Sequence, residues 1–180
     1  MNVEQMATST KPGERFPITQ AQLLAGGTTD LTSLFAGGAG LLLVVYRGKQ
    51  CGYCKAQLGE IEKRYEEFSQ RNIKVLAISA DTIERAQMTH DELALGNLKI
   101  AYGLDLELAR QCGLYISDSR KEVEMPQFSE PGVFLIRSDQ TLESAWVSSF
   151  AFPRPPLDGI IEAIDFFLKS DPLLPPRGSA

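Results

Sequence analysis

The chain has 180 residues, 43% of them hydrophobic, with 18 Lys and Arg against 23 Asp and Glu and a formal net charge of −5. That length suits one domain with a core large enough to fold without a disulfide or metal staple. The acidic balance, with its positive charges scattered, excludes a general nucleic-acid binder, which needs a basic patch.

The first residues, MNVEQMATSTKPGERFPITQ, hold no basic stretch followed by an apolar core, so a secretory signal is not expected. The longest apolar run, Leu41 to Tyr46, is far too short to cross a bilayer. No membrane association is expected, and a cytoplasmic location is the default. Thiols stay mostly reduced there, so two cysteines close in sequence point to catalysis or metal binding before a permanent staple.

Residues 25–40, AGGTTDLTSLFAGGAG, are rich in Gly and Thr and read as a loop. Residues 41–47 are continuously apolar up to the arginine and read as a strand buried on both faces. From Lys55 to Arg71, Leu58, Ile61, Tyr65 and Phe68 fall on one helical face, with Asn72 as the stop. Residues 73–79, IKVLAIS, read as a second buried strand. A second helix is expected from Thr82 to Leu95 with Asp81 as its N-cap. A short strand follows in NLKIAYGLD, then a short helix in DLELARQCGL that ends at Gly113. Residues 117–131 are polar, carry two prolines and read as a loop. Residues 132–138 and 141–150 flank Asp139-Gln140 as a hairpin. Leu157, Ile160, Ile161, Ile164, Phe167 and Leu168 mark a last amphipathic helix, and the tail SDPLLPPRGSA cannot continue it. This order predicts a three-layer α/β domain with a mixed central sheet and helices on both faces. The expected divisions are an N-terminal extension and loop packed on the domain over 1–40, the domain itself over 41–170 and a tail over 171–180.

Two of the three cysteines, Cys51 and Cys54, lie in YRGKQCGYCKAQL, after the first buried strand and at the start of the first long helix. A helix N-terminus offers unpaired N–H groups and the positive end of the dipole, which favour thiolate over thiol. Residues three apart share a helix face, so the two sulfurs can close into a disulfide with little backbone movement. Gly52 between them admits a substrate close to the backbone. Tyr53 shapes the neighbouring surface. Arg47 either lowers a thiolate pKa by its charge or points to solvent at the strand end. Cys51, nearer the helix mouth, is expected to attack, with Cys54 resolving; the reverse assignment stands as the alternative. A zinc site wants four ligands, and Cys112 and His90 are the only further soft ones, without a knuckle pattern, so no metal is expected. Cys112 reads as a buried small apolar residue, with a resolving thiol as the alternative, and His90 as part of a solvated helix face. No glycine-rich phosphate loop appears, and no bound cofactor is expected.

The stretch YRGKQCGYCKAQL, together with IKVLAISADT, YGLDLELARQCGLY, EPGVFLIRSDQTL and AWVSSFAFPRPPLDGIIEAID, resembles the AhpC/TSA, or peroxiredoxin-like, group of the thioredoxin-fold superfamily over residues 41–168. The resemblance implies a thioredoxin-like fold and a thiol-dependent antioxidant oxidoreductase that reduces peroxides or disulfides. An external thiol reductant, such as a thioredoxin or glutathione system, would regenerate it. The group also allows a homodimer. Two features depart from it. Peroxiredoxins carry Thr or Ser three residues before the peroxidatic Cys, and counting back from Cys51 or Cys54 reaches Gly48 or Cys51. They also usually carry an Arg just before the late strand, where this chain has SEPGVF. Pro131 there resembles the cis-proline that packs beside the cysteine pair in thioredoxins. A thioredoxin-like protein disulfide reductase without peroxidase activity, and a non-catalytic thioredoxin-fold binding module, stand as alternatives.

Overall fold

A computed structural model describes residues 9–35, 37–171 and 174–180. Its centre is a seven-stranded sheet in the order β2-β1-β5-β4-β3-β8-β9. The three middle strands are β3 (Gly40–Val45), β4 (Ile73–Ile78) and β5 (Lys99–Tyr102), and they run parallel. On one side β8 (Gly132–Arg137) pairs antiparallel with β3, and β9 (Leu142–Val147) with β8. On the other, β1 (Gln20–Leu23) pairs antiparallel with β5, and β2 (Thr28–Asp30) with β1.

Every residue of β3 is buried, yet its side chains alternate between two cores. Leu42 and Val44 face one, and Leu41, Leu43 and Val45 face the other. This is the two-residue period of a strand covered on both sides. The first core is closed by α2 (Gly52–Lys63), α3 (Tyr65–Ser69), α4 (Ile83–Leu93) and α6 (Leu157–Lys169), through residues such as Leu58, Ile61, Phe68, Ala86, Ile160 and Ile164. The second is closed by α1 (Leu31–Leu34) and α5 (Leu106–Gln111), with Phe16, Ile18 and Leu31 among its members. The three-layer arrangement with helices on both faces is therefore as expected.

Four local readings change. Residues 25–40 are not simply a loop, because β2 and α1 form there and β1 and β2 extend the main sheet from within the segment assigned to the extension. Short polar strands lack the apolar pattern that marks a buried one; β1 joins the sheet by pairing with β5, and β2 by pairing with β1. The long helix after the cysteines is interrupted at Arg64, giving α2 and α3. The N-cap of α4 is Thr82, because the Asp81 side chain is taken by other partners. Finally, the polar stretch after residue 115 forms a separate two-stranded ribbon, β6 (Ile116–Asp118) with β7 (Gln127–Ser129).

Candidate active site

The end of β3 and the start of α2 meet at the cysteine pair, joined as a disulfide with Cα atoms 5.2 Å apart. Cys51 is the N-cap of α2, and its Sγ accepts the Cys54 N–H at 3.2 Å. Its own N–H is turned inward to the Gly48 carbonyl at 3.0 Å. Both residues are buried, Cys51 keeping 4% of its surface exposed and Cys54 none. The pair sits on the inner face of α2 with Leu58 and Ile61, at the edge of the first core.

The charge beside the sulfurs comes from Arg154, in the turn that leads into α6. Its Nη2 lies 3.0 Å from Cys54 Sγ and 3.8 Å from Cys51 Sγ. Its Nη1 donates to Gln57 Oε1 at 2.6 Å and its Nε to the Ala151 carbonyl at 3.0 Å, so the guanidinium is held on three sides. Burial lowers the Arg154 pKa and the nearby Arg47 cation lowers it further, while Glu130 works against both. Arg154 is not among the site residues expected from sequence. Its signal was an arginine enclosed by prolines in FPRPPL, which reads as a turn until the fold brings the turn back to α2.

Arg47 is the reverse case. Its guanidinium forms an ion pair with Glu130 at 3.0 Å and lies 4.7 Å from the centre of the Phe128 ring. Neither of the two expected side-chain roles is its nearest contact. The backbone N–H of Arg47 instead donates to Cys54 Sγ at 3.4 Å. Glu130 is 3% exposed, and Ser117 Oγ donates to it at 2.7 Å.

Gly52 is exposed, and a Cβ there would meet nothing within 4 Å. Tyr53 is 54% exposed, its ring 4.6 Å from that of Phe152. Pro131 is buried at the start of β8, and the peptide bond before it is trans, as are all bonds among the described residues. This corrects the cis-proline reading. The Pro131 carbonyl accepts from Ser148 N–H at 3.0 Å, which ties the residue into the β8–β9 ladder. A cleft of about 430 Å³ opens beside it, with Gln57, Val133, Trp146, Pro153 and Arg154 among its walls.

Cys112 lies in the second core, across the sheet from the pair, and burial pushes its thiol pKa up to about 12. His90 sits on α4 beside Asp91, with Nδ1 3.1 Å from its carboxylate. No helix among the described residues is long and apolar enough to cross a membrane.

A profile of the AhpC/TSA family matches residues 12–145. A 1-Cys peroxiredoxin of Onchocerca volvulus is 25% identical over 152 residues, spanning 77% of this chain and 65% of that protein. The chain thus spans just under two thirds of that relative. Among solved structures, peroxiredoxin 6 of Arenicola marina superposes with a TM-score of 0.70 at 20% identity, covering 86% of this chain and 71% of its own. AhpC of Mycobacterium tuberculosis superposes with a TM-score of 0.71 at 13% identity, covering 89% and 99%. At these identities the superpositions speak for the fold.

Proposed function

Because the chain belongs to the AhpC/TSA family, we propose that it is a thiol-dependent peroxidase that cycles through the Cys51–Cys54 disulfide. The observation that carries this reading is the guanidinium of Arg154 placed 3.0 Å from Cys54 Sγ and 3.8 Å from Cys51 Sγ. A cation at that range favours thiolate over thiol, and the thiolate is the nucleophile.

The Cys51 thiolate attacks one oxygen of a peroxide. The O–O bond breaks, the leaving oxygen takes a proton to depart as an alcohol or as water, and Cys51 becomes a sulfenic acid. The Cys54 thiolate then attacks Cys51 Sγ, and the sulfenic oxygen leaves with a proton as water. Two electrons have passed from the two sulfurs to the peroxide. Two equivalents of an external thiol return them and are oxidised to a disulfide. The first attacks Cys51, at the mouth of the helix, and expels Cys54 as a thiolate held by Arg154 and by the Arg47 N–H.

A second order of events has an observation of its own. Arg154 is nearer to Cys54, which favours Cys54 as the sulfur that meets peroxide and Cys51 as the resolving one. Mass spectrometry after one equivalent of peroxide, with a sulfenic-acid trap, separates the two on Cys51→Ser and Cys54→Ser. The variant that still forms a sulfenic acid retains the attacking thiol. An insulin-reduction assay run beside peroxide consumption tests the peroxidase itself. Strong disulfide reduction with no peroxide turnover would replace it with a protein disulfide reductase.

A further inference from the structure

Residues Tyr46 to Gln50 join β3 to the redox pair without regular structure. Asp81, whose side chain is wholly buried, anchors them from the end of β4. Its Oδ2 accepts the Lys49 N–H at 2.7 Å. Gly48 passes so close, with φ at +121°, that a Cβ there would lie 2.8 Å from Asp81 Oδ1. Asp81 Oδ1 in turn accepts Arg85 Nε at 2.7 Å.

Arg85 does more than neutralise this carboxylate. Its Nη2 donates to Gln50 Oε1 at 2.6 Å and to the Val123 carbonyl at 2.9 Å. Gln50 Nε2 donates onward to the Arg47 carbonyl at 3.0 Å. The Arg47 N–H is the backbone group that points at Cys54 Sγ, beside the Arg154 guanidinium. One side chain on the first turn of α4 therefore ties together the end of β4, the loop before the cysteines and the loop between β6 and β7.

We propose that Arg85 is a positioning residue for the redox pair, acting through Gln50 and Asp81 to hold the Arg47 N–H against Cys54 Sγ. It is not a catalytic residue. The inference rests on the redox reading of the pair given above. Its physical basis is a difference between two states. An N–H donor stabilises a thiolate more than it stabilises a disulfide sulfur, because the donor's partner then carries full charge. Loosening the loop removes that donor and so selectively weakens the reduced form.

The test uses Arg85→Met and Gln50→Leu. Each protein is equilibrated against a graded dithiol–disulfide buffer, and the Cys51–Cys54 couple is read by mass spectrometry after acid quenching. Both variants are expected to shift the equilibrium toward the disulfide. For Arg85→Met the shift is about tenfold, equivalent to about 30 mV for a two-electron couple. In a Cys51→Ser background, the pH midpoint of thiolate absorbance of Cys54 should rise in the same variants. Arg85→Lys keeps a charge for Asp81 but cannot reach all three partners, and should fall between wild type and Arg85→Met. A lowered melting temperature with both readouts within twofold of wild type in Arg85→Met and Gln50→Leu means a purely structural strap and overturns the proposal. If Arg85→Met does not fold, Gln50→Leu decides alone, since it leaves the Asp81–Arg85 pair in place. A wild-type pair that forms no reversible disulfide would instead sink the redox reading itself.

Discussion

Arg154 acts through single-atom distances, and its removal is the sharpest experiment on individual residues. Its half-buried guanidinium packs against Gln57 and the Ala151 carbonyl, so methionine can fill much of its volume while deleting the charge. Arg154→Met is expected to slow peroxide consumption about a hundredfold, the usual loss when one preorganised donor to a reacting group is deleted. Arg154→Lys should recover part of the rate, because it restores charge without the fork that reaches both Gln57 and the sulfurs. Stopped-flow peroxide consumption at saturating reductant measures both. An unchanged rate in Arg154→Met would remove this arginine from the chemistry. The same distances show why Arg47 was harder to place from sequence. A residue next to a reactive pair can contribute its backbone while its side chain serves another element, and no sequence pattern separates the two.

Elements carry the site as much as residues do. The helix bearing the cysteines is anchored at its far end by Glu62. Its carboxylate accepts the N–H groups of Gly96, Asn97 and Leu98 at 2.8 to 3.2 Å, together with the Asn97 amide at 2.9 Å, in the turn before β5. Burial pushes the Glu62 pKa up, but these donors outweigh it and hold the carboxyl below its usual value. A depressed folded-state pKa gives stability that is complete above the unfolded value and is lost as pH falls through the folded one. Glu62→Ala is therefore expected to lose about 1 kcal/mol at pH 7, or about 3 °C in melting temperature. The gap to wild type should narrow below about pH 4.5. Thermal melts of both proteins between pH 7 and pH 3 check it, and a gap that stays constant across that range contradicts the ionic origin.

The whole molecule is built so that redox change at the pair need not disturb the fold. The disulfide closes between residues 51 and 54, inside the first turn of a helix that persists around it. A loop that short constrains the unfolded chain little, about 2 kcal/mol by the chain-entropy relation. Two continuous cores on either face of the sheet hold the rest. Reduction is therefore expected to lower the melting temperature by about 4–8 °C at most and to leave the far-ultraviolet circular dichroism unchanged. Unfolding of the molecule on reduction would show that the disulfide is structural. Fold class was legible at this scale because apolar runs of five or six residues, alternating with helical spacing, leave few layered arrangements. The β6–β7 ribbon and strands β1 and β2 were not legible. They are short and largely polar: β1 is placed by β5, distant in sequence, β2 pairs with β1, and β6 pairs with β7 across a polar loop.

Sequence by itself determined that Cys51 and Cys54 would sit at the mouth of a helix after a buried strand, because spacing and periodicity are local properties. It also determined the three-layer architecture and the burial of Cys112. Only the tertiary structure decided what surrounds the sulfurs. Arg154 comes to the pair from 100 residues further along the chain, and Arg85 steadies its loop from 35 residues beyond Gln50. Pro131 proved to be trans, tied into the β8–β9 ladder beside the site. Contacts between residues so far apart are set by how helices dock on a twisted sheet, and that docking is a property of the whole core.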